Sequence, residues 1–344
     1  MKNSFSTPQP VKISLFFALS LLLATPAIAT QATYSAQAET RYIDRSKGER
    51  NKAYPVRQYQ TAASHTRSGN TDGPLLWRIE HPNAAADDIR SSYIFGTIHI
   101  DDKRVMAIPG SVTRRLASVD TLMLELELNA NGSVDILRKM LFTDGRSLPQ
   151  VIGEGPFNRV TEALVDTGNQ LSIEVLSVLK PWAAMLLLIR PVNNSGTFLD
   201  KKLATLASNA KVRVQGLETV DEQLSVFDDI PIVDQIGLLN SALESLAEKD
   251  QAYQQLIDAY LSGNLENLVQ VSASQQPKDD RLARLIRQKL ISERNQKMFQ
   301  RMQMRLQAGN TFIAVGALHL PGAQGLLQQL QQAGYRLTRI AETE

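Results

Sequence analysis

The sequence predicts an α/β fold: a central mixed β-sheet with flanking helices and a large helical segment between its halves. Three observations carry this. Two Gly-x-x-His elements, Gly96-Thr97-Ile98-His99 and Gly316-Ala317-Leu318-His319, each follow an apolar strand-like run. Residues 120–128 alternate strictly, with Leu122, Leu124, Leu126 and Leu128 on one face and Thr121, Met123, Glu125 and Glu127 on the other, the period of a strand. Most of the chain from 132 to 306 carries helical spacing instead.

In chain order, the N-terminus reads as an export signal. Lys2 and Lys12 flank a polar start, an apolar core follows, and Ala27-Ile28-Ala29 supplies a small-x-small cleavage pattern. The core is short for a spanning helix of about 20 residues, so residues 1–29 are expected to be removed, leaving no stable membrane anchor. Removing them takes the formal net charge from +2 to zero. A neutral chain gives no electrostatic argument for nucleic acid. There is no Cys, which excludes disulfides, a lipoprotein anchor and thiol catalysis. Export without disulfides points to a bacterial periplasm. Residues 30–72 are polar with almost no aliphatic periodicity and read as a disordered tether. His65 lies there.

The folded domain is expected over 73–344. A strand over 74–79 and a return strand over 91–95 form a hairpin, with His81 in its turn. The Gly ending each His-bearing run is expected to permit a sharp exit. Each His then emerges at a strand end, where open α/β sheets place ligand clefts. Ser111 reads as the N-cap of a helix over 111–117. Acids are disfavoured inside strands, so Glu125 is a cleft candidate; a solvated polar face is the alternative. Helices are expected over 133–141, 157–167, 181–189, 199–208, 231–249 and 251–261, with Pro181 and Pro231 in first turns. A strand over 212–215 followed by Gly216 resembles a third glycine exit and delivers Glu218. Thr219 then caps a helix. A long helix over 278–308 carries Arg294 and Asn295 inside its apolar stripe. A charge there requires a partner or a role: an internal ion pair, or an anion contact at the cleft. A helix through Ala333, stopped by Gly334, and a strand over 335–340 end the chain.

If the two His-bearing strands are parallel neighbours, His99, His319, Glu125 and Glu218 or Asp101 share a pocket. Two imidazoles and a carboxylate can hold a divalent ion such as Zn, Mn or Co, with a second Glu as general base. Without metal, the same groups form a His–Glu acid/base pair. There is no His-Glu-x-x-His helix, no Gly-x-Ser-x-Gly, and Gly153-Glu154-Gly155 lacks the Lys-Ser/Thr ending of a phosphate loop. Trp77 and Trp182 read as core residues, with a cleft position for Trp182 as the alternative.

Seven ordered stretches resemble the TraB/GumN family: Leu76-Trp77-Arg78, the run from Ser92 to His99, Leu124-Glu125-Leu126-Glu127, Leu179-Lys180-Pro181-Trp182, Gly216-Leu217-Glu218-Thr219 with Gln223-Leu224, Glu293-Arg294-Asn295, and the run from Val315 to Gly322. That family is similar to the animal Tiki proteins, membrane-tethered metalloproteases with paired Gly-x-x-His motifs. It is more distantly similar to erythromycin esterases and haem-binding ChaN lipoproteins. The resemblance implies two related halves with the site between them, His99, His319 and Glu125 as site residues and Arg294 as an auxiliary. Position 127, where the family more often has Asp, has no assigned role, nor do Asp200 and Gln223. The leading expectation is a periplasmic metal-dependent peptidase or amidase acting on a peptide or small molecule. In it His99 and His319 bind metal, Glu125 ligates or acts as base, and Arg294 steadies negative charge. The alternatives are a metal-free esterase-type hydrolase, a haem- or ligand-binding protein, and a non-catalytic envelope scaffold.

Overall fold

The computed structural model describes residues 73–81, 91–126, 132–166, 171–190 and 198–342. The expected signal, the tether, the hairpin turn and Glu127 lie outside these residues. Six strands form one sheet: β1 (Leu76–Glu80), β2 (Ser92–Thr97), β3 (Thr121–Leu126), β4 (Arg213–Glu218), β5 (Thr311–Gly316) and β6 (Arg336–Arg339), in the order β4-β3-β5-β2-β1-β6. The β4-β3-β5-β2 block is parallel, and β1 and β6 join antiparallel at one edge. The sheet is therefore mixed, as expected.

β2, β3 and β5 are buried along their whole length, as central parallel strands covered on both faces must be. One face, with Phe95, Leu122, Leu124, Phe312 and Ala314, packs under the helix Leu199–Asn209 and the helix Lys249–Leu261. The other, with Ile94, Met123, Ile313 and Val315, packs against Met298, Met302 and Leu306 of the helix Glu293–Ala308. Glu125 follows the Met123 face. A third core is built mainly from helices, with Leu126 of β3 at its edge, and centres on Trp182, Met185, Phe227 and Leu238. Trp182 is fully buried, stacks on Phe227 at 5.8 Å and donates from Nε1 to Asp228 at 3.1 Å. It is a core residue.

Several expectations are corrected. Ser111 is not a cap: the helix Gly110–Ala117 begins after Pro109, and Ser111 is buried inside it. The cap position needs extended backbone, which Pro109 supplies at φ −57°, ψ 145°. Pro231 also lies one position before its helix, Ile232–Ser245. Gly216 is not an exit; it pairs with Leu124 inside β4, which continues to Glu218 opposite Leu126. The expected helix over 278–308 is two helices, Asp280–Arg287 and Glu293–Ala308, joined by a π turn over Gln288–Ser292. Four helices, Lys103–Met106, Leu148–Ile152, Ile173–Ser177 and Leu265–Ser274, lie where the sequence predicts none.

Thr219 does cap the helix Val220–Asp228, and Glu222 reaches back to its backbone N–H at 2.9 Å. Arg301 grips the same carboxylate at 2.6 and 2.7 Å. These donors, Arg301 foremost, hold Glu222 down to about 2. Its stabilising contribution is therefore present above the ordinary carboxylate range and lost as pH falls towards about 2. Glu222→Gln is expected to cost about 1–2 kcal/mol at pH 7. In urea unfolding the difference from wild type should shrink steadily on acidification, and a pH-independent difference contradicts the assignment.

Candidate active site at the ends of two parallel strands

The two Gly-x-x-His strands are direct neighbours. β2 pairs with β5 in parallel, Gly96 opposite Val315 and Thr97 opposite Gly316. After Gly316 the chain turns into a short 3-10 helix, Ala317–His319. The glycines are not there for conformational freedom. Gly316 has φ −51°, and neither it nor Gly96 is among the glycines with positive φ. Their role is close approach. A Cβ on Gly96 would lie 2.9 Å from Leu320 Cδ1 and 3.1 Å from Ala317 Cα, so Gly96 lets the second turn sit on the first strand. A Cβ on Gly316 would lie 3.1 Å from Glu125 Oε1, 3.5 Å from His319 Cδ2 and 3.8 Å from His99 Nε2. Both histidines and the strand acid thus converge on one point, as the sequence predicts.

Gly316→Ala places a methyl group into that convergence. It is expected to lower activity on the order of 10²-fold by displacing the three groups, and to cost stability only about 1–3 kcal/mol. Steady-state kinetics beside thermal unfolding checks this, and an active Ala variant contradicts it.

Glu125 is a buried carboxylate with both oxygens engaged. Oε1 accepts the Gly316 backbone N–H at 2.6 Å, and Oε2 accepts Arg294 Nη2 at 2.6 Å. Burial alone would raise its pKa. Arg294, then His319, His99 and the Gly316 N–H outweigh burial, and the carboxyl sits far below its usual range. Arg294 is also buried. It forks onto Glu218 from Nε at 3.0 and 3.1 Å and from Nη2 at 2.6 Å, and Nη1 donates to the Leu290 carbonyl in the π turn. Gln223 donates to Glu218 at 3.2 Å. Of the two expectations for Arg294, the geometry realises the internal ion pair: one guanidinium bridges two buried carboxylates.

Each imidazole is held at Nδ1. His99 Nδ1 lies 3.0 Å from Asp200 Oδ2, whose other oxygen accepts the Thr97 hydroxyl at 3.2 Å. His319 Nδ1 lies 2.6 Å from Asn295 Oδ1. His319 Nε2 faces Glu125 Oε1 at 3.6 Å. Burial pushes the His319 pKa down to about 3, helped by Arg294 and His99 against the pull of Glu125, so its ring is neutral. Burial also lowers His99, but Asp200 and then Glu125 outweigh it, and its pKa is raised. Asp101 is half-buried in the loop after His99.

Among the described residues, no three His, Cys, Asp or Glu side chains are gathered closely enough to hold a metal ion. The Gly316 N–H and Arg294 each engage one Glu125 oxygen. The donors nevertheless fit a divalent ion in kind and direction. Two imidazoles present Nε2 beside a carboxylate, and each is braced at Nδ1 by an oxygen acceptor, the outer-shell arrangement of metal-binding histidines.

Asp200, Gln223 and Asn295 are residues whose roles sequence reasoning did not supply. Asp200 shares a buried helix face with Leu203 and Ala207, and an acid in that stripe was the available signal. Asn295 was visible in its apolar stripe, but not its target.

The chain is similar to Metalloprotease TIKI2 of Danio rerio, 25% identical over 322 residues covering 78% of this chain and 61% of that protein. It is equally similar to Metalloprotease TIKI1 of Danio rerio, 25% identical over 297 residues covering 72% of this chain and 60% of that protein. It spans about six-tenths of the length of these relatives. No solved structure gives a significant match. A profile of the TraB/PrgY/gumN family matches residues 75–339, which takes in every strand and every site residue above, and the chain belongs to that family.

Proposed function

We propose that this protein is a divalent-metal-dependent hydrolase of peptide or amide bonds, acting in the periplasm. The observation that carries this reading is the convergence of His99, His319 and Glu125 on the space above Gly316. The relatives named metalloproteases support it. Two related halves, each contributing one strand–Gly-x-x-His element, are the finer architecture this reading assumes.

A bound Zn, Mn or Co ion supplies a water of lowered pKa and polarises a carbonyl. His99 and His319 would hold it through Nε2, and Glu125 through Oε1. Glu125 is better suited to ligation than to proton transfer, because a carboxylate held so far below its usual pKa is a weak base. Glu218 spends its acceptor capacity on Arg294 and Gln223, and so serves as a positioning residue rather than a base. Arg294 keeps Glu125 ionised and holds both carboxylates in place. The buried surroundings of the site exclude bulk water from the reacting groups.

One observation favours a second reading, metal-free hydrolysis. His99 backed by Asp200, with its pKa raised, can take a proton from water at Nε2 and return it to a leaving group. The same experiment decides between them. The purified full chain is incubated with a pool of unstructured peptides and cleavage is read by mass spectrometry. Cleavage abolished by a chelator and restored by Zn, Mn or Co supports the metal-dependent reading. Cleavage that survives chelation supports the His99–Asp200 reading, and no cleavage of peptides or small amides under either condition contradicts both.

A further inference from the structure

Asn295 is completely buried on the helix Glu293–Ala308, and it clasps His319 from two sides. Its Nδ2 donates to the backbone carbonyls of His319 at 3.1 Å and Gln324 at 2.8 Å. Its Oδ1 meets His319 Nδ1 at 2.6 Å. The two carbonyls fix the amide orientation, because a flipped amide would set Oδ1 against two acceptors. Oδ1 therefore faces the ring, and Oδ1 can only accept. The ring proton must lie on Nδ1, leaving Nε2 as a lone pair.

That lone pair points at Glu125 Oε1, 3.6 Å away. Left to itself, a neutral imidazole beside a carboxylate puts its proton between them, on Nε2. Asn295 imposes the opposite arrangement, in which two acceptors confront each other and the gap favours a cation or a donor. We propose that Asn295 is a positioning residue that locks the Nδ1–H tautomer of His319 and so keeps Nε2 available as a ligand. Its consequence for metal rests on the function proposed above, but the tautomer itself does not.

The test is long-range 1H–15N correlation NMR of His319 in metal-free, 15N-labelled full chain, with zinc affinity measured in parallel. Wild type should show the proton on Nδ1. Asn295→Leu removes the acceptor, and the proton should move to Nε2, donating to Glu125. Asn295→Asp loses the amide donor equally but keeps an oxygen at Nδ1, so it should retain Nδ1–H. A merely structural role, resting on the donors to the two carbonyls, would make the variants alike. Zinc affinity should fall about 10–100-fold in Asn295→Leu and less in Asn295→Asp. An Nε2–H ring in wild type, or the same tautomer in both variants, overturns the proposal. Should Asn295→Leu not fold, wild type and Asn295→Asp carry the test: Nδ1–H in both supports the lock, and Nε2–H in either overturns it. If wild type shows Nδ1–H yet takes up no zinc, the metal reading falls while the tautomer lock stands.

Discussion

Alanine in place of His99 or of His319 is expected to lower the proposed hydrolysis on the order of 10³-fold or more, by removing one nitrogen that would hold the activating ion. Neither change should abolish folding, because both rings sit at strand ends rather than inside the sheet. The two variants should differ in stability. His319 is neutral when folded, with its pKa pushed down to about 3. Between the ordinary His value and about 3 the unfolded chain binds a proton that the folded chain does not, so stability falls on acidification. His319→Ala should flatten that acid limb in unfolding measurements. His81→Ala is the control. His81 follows the far end of β1 and stacks edge-on against Tyr335 at 5.6 Å, so activity should persist. Full activity in His99→Ala or His319→Ala contradicts the site.

Arg294→Met should be among the most destabilising single substitutions in the chain, at about 3–5 kcal/mol. It leaves Glu125 and Glu218, both buried, facing each other without their shared cation. Lys is no remedy, since one ammonium cannot reproduce the fork that reaches both carboxylates. The pH dependence identifies the cause. In wild type, Glu125 is depressed and its contribution is present above the ordinary carboxylate range. In the variant the buried Glu125 carboxyl, without Arg294, rises, and its protonation relieves the repulsion as pH falls. The difference between the proteins should be greatest near neutrality and shrink in acid. A constant difference points to lost packing instead.

Much of this arrangement is legible in the chain. Phe312-Ile313-Ala314-Val315 and Tyr93-Ile94-Phe95 are apolar runs that only a buried strand explains, and the shared Gly-x-x-His ending marks them as a pair. Glu125 stands out because an acid in a buried strand demands a partner. Arg294 stands out for the same reason in a helix, and that partner is Glu125 itself. The role of Asp200 is not legible because an acid in a helix's first turn already has an ordinary explanation in the helix dipole. Glycine is ambiguous in sequence: Gly216 inside a strand and Gly96 under a close contact look the same as a sharp exit. The π turn before Arg294 leaves no compositional mark, since it is a change of hydrogen-bond register rather than of residue type.

The most direct test is a zinc titration of the metal-free full chain, with X-ray absorption at the metal edge reporting the ligands. One ion per chain bound by two imidazole nitrogens, lost in both His99→Ala and His319→Ala, is the predicted result. No ion taken up, or an ion retained unchanged when both histidines are gone, would contradict the account.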